Sequence, residues 1–184
     1  DSTTIDSMLS VCNTYNDYCF PMIGLHPTSV NADYEKELEI VARELKSFNK
    51  YIAIGEVGMD LYWDKTFLKE QQIVLDKQIN WALEYDLPVV IHCRDAFGYI
   101  YNVLEPYKNT SLKGVFHSFT GTDDEAARIL EFSGFLIGIN GVVTFKKSRL
   151  PEVLTKIPLE KIVLETDSPY LTPVPNRGKR NESA

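Results

Sequence analysis

YIAIGEVGMD, residues 51–60, carries the clearest structural signal in this chain of 184 residues. Residues 52–54 are apolar in succession and lack the alternation of a strand that has one face in water. Such a run is typical of a parallel strand that is covered on both faces. Gly55 then interrupts the run, Glu56 follows it directly, and Gly58 suggests a second break. The stretch therefore predicts a buried parallel strand, residues 51–56, with a carboxylate at its carboxyl end.

Similar apolar runs recur along the chain, with amphipathic segments between them. Strands are predicted at residues 20–26, 51–56, 88–92, 114–118, 135–140 and 162–167. Helices are predicted at residues 1–18, 34–48, 67–85, 97–104, 122–132 and from Ser148, and the residues after 171 are predicted to be loop. Thr122 and Glu125 have the spacing of a capping box. Strict alternation of short strands and helices predicts a parallel sheet with helical crossovers.

Two architectures of parallel strands compete: an open doubly wound sheet and a closed (β/α)₈ barrel. A doubly wound nucleotide-binding sheet usually begins with a glycine-rich phosphate loop, and no such motif occurs here. Polar residues follow many of the predicted strands, which favours the barrel. The chain is therefore predicted to be one α/β domain, residues 1–184, with a TIM-barrel fold. A barrel needs eight strands and six are predicted, so either it is built differently or its first two strands are missing.

Composition restricts the class of protein. The chain is 44% hydrophobic and 24% charged, as in ordinary globular proteins, and no apolar stretch approaches the ~20 residues of a membrane span. Its three cysteines have unrelated spacings, which predicts a reducing, cytoplasmic setting without a disulfide framework. The formal net charge of −7 means that any contact with a nucleic acid must be local.

Side chains that can bind a metal follow five of the predicted strands. They are His26, Glu56, His92, His117 and Asp167. In a parallel barrel the carboxyl ends of all strands meet on one face. Imidazoles and carboxylates are common ligands of Zn²⁺ and similar divalent cations. The pattern predicts a site for one or two divalent metal ions, and the alternative is that each residue is an ordinary polar cap of its strand.

Two of the polar residues suggest chemistry beyond metal binding. Asp167 could orient or deprotonate an attacking water, or simply cap a turn. Glu165 is interpreted as lying on the opposite side of that strand, as a supporting or packing partner. Arg94 could bind a phosphate, or form a salt bridge with Asp95 or Glu56.

Basic and aromatic residues also follow strand ends. The basic residues are Lys146, Lys147, Arg149, Arg177, Lys179 and Arg180. In a barrel they would line one mouth and supply the local positive field that a polyanion requires. The aromatic residues Tyr62, Trp63 and Tyr170 could stack on the bases of a single strand. Packing within the loop is the favoured interpretation for Trp63.

Taken together, these motifs resemble a known family. The stretches are GLHP at 24–27, GEVGMD at 55–60, IHCRDA at 91–96, HSFTG at 117–121, ETDSPYL at 165–171 and NRGKRNE at 176–182. In this order they look like the TatD-type metal-dependent deoxyribonucleases, which are amidohydrolase-like (β/α)₈ barrels. The resemblance covers nearly the whole chain. It implies a hydrolase that cleaves DNA phosphodiester bonds with a divalent-metal-activated water.

The family pattern also implies roles for individual residues. Glu56 becomes the carboxylate shared between metals, and His92 and His117 become ligands of one metal. Asp167 becomes the ligand of the other metal and the base for the attacking water. His26 and Arg94 fall where the family contacts substrate phosphate, and Arg177 is predicted to bind substrate with them. The implied partner is DNA, as single strands or ends, with no membrane and no obligate protein partner.

One departure from the family concerns its first strand, D-x-H-x-H, whose histidines complete the metal site. No H-x-H occurs in this chain. The resemblance therefore implies that the first two strands and the final helix of the barrel are missing here. Two other functions stay open from the residues alone. One is an amidohydrolase-type metal enzyme acting on a small ester or amide, and the other is a barrel remnant without catalysis.

Overall fold

A computed structural model describes residues 1–47 and 50–183 of the chain, and in them the predicted strands and helices alternate as expected. All six strands found in these residues are parallel to the neighbours described below. The chain divides into two compact units, Asp1–Lys113 and Gly114–Ala184. Each unit contains three of the six strands. The prediction of one domain over residues 1–184 stays a prediction.

The first unit is a three-stranded parallel sheet, ordered β1-β2-β3, with four helices. Its elements are α1 (Ile5–Thr14), β1 (Met22–Ile23), α2 (Tyr34–Ser47), β2 (Ala53–Asp60), α3 (Leu68–Glu84), β3 (Val89–Arg94) and α4 (Phe97–Leu104). The first helix and first strand are shorter than predicted, and Ile5 is the one buried residue of α1. The apolar face predicted for α2 included Phe48, which lies outside the described residues.

The second unit is also a three-stranded parallel sheet, ordered β4-β5-β6. Its elements are β4 (Gly114–Phe116), α5 (Asp123–Leu130), β5 (Phe135–Ile139), α6 (Leu150–Leu154) and β6 (Ile162–Leu164). The predicted capping box is confirmed, because the Thr122 side chain accepts from the Glu125 N–H and the Glu125 carboxylate accepts from the Thr122 N–H. Helix α5 therefore begins where the sequence predicts.

Strand β2 is longer than predicted, which corrects the position of Glu56. The strand does not stop at Glu56 but continues to Asp60, so Glu56 lies within it and not at its end. Ile54 pairs with Val89 on β3 and Val57 pairs with Ile91, so β2 carries one extra residue between these pairs. Such a bulge bends a strand and changes the direction of its side chains, and bulges are common beside active sites.

Gly58 lets β2 and β3 come close together next to His92. Its φ of +140° is a conformation that L side chains rarely adopt. A Cβ at this position would lie 2.0 Å from the backbone oxygen of His92. The glycine that the sequence suggests as a strand break is therefore what allows the strand to continue alongside β3.

Apolar side chains from the strands and helices form a core in each unit. In the first unit the largest fully buried side chains are Leu25, Ile54, Met59, Leu75, Ile79, Ile91, Ile100 and Leu104. In the second they are Ile129, Phe135 and Ile137. Buried apolar surface of this kind is the main favourable contribution to folding. Within residues 1–47 and 50–183, no helix is both long and apolar enough to cross a membrane.

Two buried glutamines on α3 hold backbone segments of the first unit in place. The Gln78 amide accepts from the Leu25 N–H at 2.7 Å and donates to the Leu25 carbonyl at 3.2 Å. The Gln71 amide makes the same pair of bonds with Asp60, at 2.9 and 3.2 Å. Because buried backbone groups need partners, each glutamine satisfies two of them. Helix α3 thereby fixes the residue before His26 and the last residue of β2.

Candidate metal site

Three side chains that can bind a metal come together in the first unit: His26 after β1, Glu56 on β2 and His92 on β3. One ligand atom from each lies within 4.8 Å of the other two. His92 Nδ1 is 3.0 Å from Glu56 Oε1, and His26 Nε2 is 3.8 Å from Glu56 Oε2. The two imidazole centroids are 4.7 Å apart. Two imidazoles and a carboxylate are a donor set that fits Zn²⁺ or a similar divalent cation.

Asp60 contacts the other nitrogen of the His92 ring. Its Oδ2 lies 3.0 Å from His92 Nε2, and its side chain is only 7% exposed. Its Oδ1 accepts a hydrogen bond from the Tyr62 N–H at 3.1 Å. A carboxylate that accepts from one ring nitrogen fixes the tautomer, so that the other nitrogen presents its lone pair. With Nε2 donating to Asp60, the Nδ1 lone pair faces the Glu56 carboxylate, and either a proton on Nδ1 or a metal ion bound to both groups satisfies the contact.

The histidines of this cluster have pKa values shifted in opposite directions. Burial lowers the pKa of His26, and the neighbouring His92 lowers it further. Burial also acts to lower the pKa of His92, but the hydrogen bonds and negative charges of Glu56 and Asp60 together outweigh it, and the pKa is raised. As the pH falls, His92 therefore binds a proton before His26 does. A metal ion that binds at low pH must displace that proton.

This difference predicts the order of titration in the metal-free protein. Followed by the NMR signals of the imidazole rings, His92 should titrate above the ordinary histidine value of about 6.5 and His26 below it. Excess Zn²⁺ should suppress both titrations, and its affinity should fall as the pH drops through the pKa of His92. The opposite order of titration would show that Glu56 and Asp60 do not act on His92 as the geometry implies.

A second group of contacts lies in the second unit, around His117 after β4. His117 Nδ1 is 2.9 Å from Glu165 Oε2, and His117 Nε2 is 3.4 Å from Asp167 Oδ1. Both acids follow β6, and both face the same ring. The interpretation that Glu165 lies on the opposite side from Asp167 is therefore wrong, because residues two apart in an extended segment point the same way.

The Glu165 carboxylate fits into a space that Gly138 on β5 leaves open. A Cβ at Gly138 would lie 2.5 Å from the Glu165 carboxyl carbon. The second oxygen of Glu165 accepts from the backbone N–H of Ser118, a residue with φ of +50°. The Ser118 hydroxyl in turn contacts the Asn140 amide at 2.6 Å. Glu165 thus contacts both His117 and the strained turn that follows it.

Both arginines predicted to bind substrate rest on aromatic rings. The Arg94 guanidinium carbon lies 3.8 Å from the centroid of the Tyr62 ring, in the first unit. The Arg177 guanidinium carbon lies 3.9 Å from the centroid of Phe145, in the second. Both arginines are exposed. Stacking of this kind holds a guanidinium in place and leaves its N–H groups for other partners.

The structure thus brings the predicted site residues together within two sets. Glu56 and His92 lie together in the first unit, where His26 joins them. His117 and Asp167 lie together in the second. Two assignments stay predictions. One is that His26 contacts substrate phosphate. The other is that Glu56, His92, His117 and Asp167 bind metal ions.

Three further residues, Asp60, Gln71 and Gln78, contribute without having been identified by role from the sequence, whereas Glu165 was interpreted as a supporting partner. Asp60 and Glu165 contact the ring nitrogens of His92 and His117. Gln71 and Gln78 hold the neighbouring backbone. A signal existed for Asp60, since it stands four residues from Glu56, an acid already identified.

Comparison with known proteins identifies the family of the chain. The family described as TatD related DNase matches residues 1–184. The chain belongs to the TatD family. The predicted family is thereby confirmed on all of the chain, including the motifs that carry His26, Glu56, His92, His117 and Asp167.

Relatives within the TatD family are named as metal-dependent hydrolases and as exonucleases. The uncharacterized metal-dependent hydrolase YabD of Bacillus subtilis is 37% identical over 183 residues, which are 99% of this chain and 71% of YabD. The 3′-5′ ssDNA/RNA exonuclease TatD of Pantoea ananatis is 34% identical over 178 residues, 94% of this chain and 68% of that protein. The chain is therefore a member of a family of metal-dependent hydrolases.

The fold is that of solved TatD structures. The crystal structure of YJJV, a TatD homolog from Escherichia coli K12, superposes with a TM-score of 0.85 at 29% identity. The match covers 98% of this chain and 70% of YJJV. The predicted fold class, an α/β fold of parallel strands as in the TatD barrels, is confirmed.

Proposed function

We propose that this chain hydrolyses phosphodiester bonds of DNA with the help of divalent cations, one of them held by His26, Glu56 and His92. The observation that carries the proposal is the convergence of these three donors, with ligand atoms within 4.8 Å of one another. Membership of the TatD family supports the nuclease activity, since one relative is named as an ssDNA/RNA exonuclease. The proposal includes one protein domain, residues 1–184, and a cytoplasmic location.

His117 and Asp167 are proposed as further metal ligands, as the family pattern implies. When bound, a divalent cation at such sites polarises a phosphoryl oxygen and lowers the pKa of the attacking water. The role of Asp167 is to orient that water and accept its proton. The Asp167 side chain is 37% exposed, so a water can reach it. Glu56 contributes the negative charge that keeps a cation between the two histidines of the first unit.

Arginine side chains are proposed to bind the phosphates of the DNA strand. Arg94 and Arg177 are exposed, and each is held against an aromatic ring. A guanidinium pairs with two phosphate oxygens at once, which fixes orientation as well as supplying charge. In a chain with a net charge of −7, such local cations are what a polyanionic substrate requires. His26, which the family pattern assigns to substrate phosphate, is proposed as a metal ligand because its Nε2 lies 3.8 Å from Glu56 Oε2.

The test is cleavage of a labelled single-stranded oligodeoxynucleotide by the purified protein. After removal of metal by a chelator the oligonucleotide should stay intact, and Mn²⁺, Mg²⁺ or Zn²⁺ should restore its shortening. Small nitrophenyl esters and phosphate esters, assayed in parallel, should be poor substrates. Hydrolysis of the small esters with an intact oligonucleotide would overturn the nuclease in favour of a small-ester hydrolase. Tight metal binding without any hydrolysis would favour a non-catalytic protein.

A further inference from the structure

Two large aromatic side chains directly after β2 are exposed. Trp63 is 80% exposed and Tyr62 is 49% exposed. Tryptophan is normally well buried in a folded chain, and large exposed aromatic rings are characteristic of binding surfaces. The packing within the loop that the sequence favours for Trp63 is therefore not what the structure has. Its indole ring is available to a ligand.

The two rings and a neighbouring cation form an ordered group. The Tyr62 and Trp63 centroids are 4.6 Å apart with an interplanar angle of 88°, an edge-to-face arrangement. The Arg94 guanidinium carbon lies 3.8 Å from the Tyr62 centroid and 5.9 Å from the Trp63 centroid. The backbone N–H of Tyr62 donates to Asp60. These contacts fix the position of Tyr62, so Trp63 is presented on a supported ring and not on a free loop.

The aromatic group is connected to the candidate metal cluster. Asp60, which holds the Tyr62 backbone, also contacts His92 Nε2 at 3.0 Å. A small cavity of about 170 Å³ has Asp60, Trp63, Pro27 and Thr28 among its lining residues. Pro27 and Thr28 directly follow His26. Open space therefore extends from the residues beside the metal cluster to the indole ring.

We propose that Trp63 is a stacking site for an unpaired nucleobase of the strand whose phosphate reaches the metal cluster. This inference rests on the proposed nuclease function and adds to it a subsite for one base of the single strand. A nucleotide presents a flat base next to an anionic phosphate, which matches an exposed indole next to the Arg94 cation. Base stacking on aromatic side chains tolerates any sequence because every base has a π-face. A base within a duplex has both faces covered and cannot occupy the site without leaving its neighbours.

Intrinsic fluorescence tests the proposal, because the chain has two tryptophans. Trp63 is exposed and Trp81 is 7% exposed, so a stacked base should quench the signal of Trp63. Oligothymidylate is titrated into the protein in EDTA and low salt, where no cleavage occurs, and affinity is measured separately by anisotropy of a labelled oligonucleotide. We expect quenching by the single strand and weaker binding without quenching by a blunt duplex.

Variants at Trp63 separate stacking from other uses of an exposed ring. Trp63→Ala should weaken oligothymidylate binding about tenfold, the size of one lost base stack. Trp63→Phe should abolish the quenching but retain most of the affinity. Tyr18→Ala removes another aromatic ring, 85% exposed and outside the cavity lining, and should change neither quantity.

Two outcomes would overturn the inference in distinguishable ways. If Trp63→Ala binds and cleaves single-stranded DNA like the unaltered protein, the stacking site is wrong but the nuclease stands. Trp63 is then a surface for another protein or a packing residue. If the unaltered protein neither binds nor cleaves the oligonucleotide, the proposed function fails together with the stacking site.

Discussion

Replacing Glu56 by glutamine is expected to weaken divalent-metal binding at the His26–Glu56–His92 cluster by about 100-fold or more. The reason is that Glu56 is the only acid of the three donors and both its oxygens face histidines, at 3.0 and 3.8 Å. Loss of a supporting group beyond the ligands already costs about 10–100-fold in metal affinity, so loss of a ligand charge should cost at least as much. Calorimetric titration with Zn²⁺ or Mn²⁺ measures the affinity.

The NMR signals of His26 and His92 localise that effect to this cluster. In the unaltered protein both signals should shift as metal is added, and in Glu56→Gln they should not. Metal-dependent DNA cleavage should fall with the affinity. The matched control is Glu84→Gln, which makes the same change at an exposed glutamate at the end of α3. Unchanged metal affinity and full cleavage in Glu56→Gln would remove Glu56 from the site and with it the proposed mechanism.

The substitution Gly58→Ala is expected to lower the free energy of unfolding by about 3 kcal/mol or more. Two causes add. The residue would have to adopt φ of +140°, and its Cβ would lie 2.0 Å from the backbone oxygen of His92. Since that oxygen belongs to β3, relief requires β2 and β3 to separate where they carry Glu56 and His92. Urea denaturation measures the stability, and metal titration of the folded fraction should show a weakened site.

Gly98→Ala is the matched control for this substitution. Gly98 lies in α4, and an added Cβ there meets no atom within 4 Å. Alanine is the better helix former, so this variant should gain up to about 1 kcal/mol in the free energy of unfolding. Equal stabilities of the two variants would mean that β2 does not approach β3 as closely as described.

The sequence predicts the fold better than the contacts of the site, for a physical reason. Alternation of apolar runs and amphipathic segments depends on burial, and burial is what the strands and helices of both units show. The ends of elements depend on local backbone geometry. Strand β2 illustrates this, since its two glycines suggest a break, whereas in the structure they allow close contact with β3. Whether a glycine breaks β2 or lets it approach its neighbour depends on the position of β3, which the sequence does not give.

Asp60, the acid beside His92 Nε2, was missed because of that predicted break. In a continuous strand, side chains two or four residues apart share a face, so Glu56 and Asp60 point the same way. Once the strand is ended at Glu56, this relation is lost and Asp60 becomes a loop residue without a role. Its contact with His92 Nε2 follows only from the longer strand. The same spacing of two residues links Glu165 to Asp167.

Gln71 and Gln78 are seven residues apart, which on a helix is two turns and about 10.5 Å on the same side. They fix the backbones of Asp60 and Leu25, and so set the separation of two segments that are far apart in the sequence. One residue inserted between them would turn one glutamine by about 100° and leave a buried N–H and carbonyl without an amide. The spacing of these two positions on α3 therefore acts as a fixed ruler between the backbone before His26 and the end of β2.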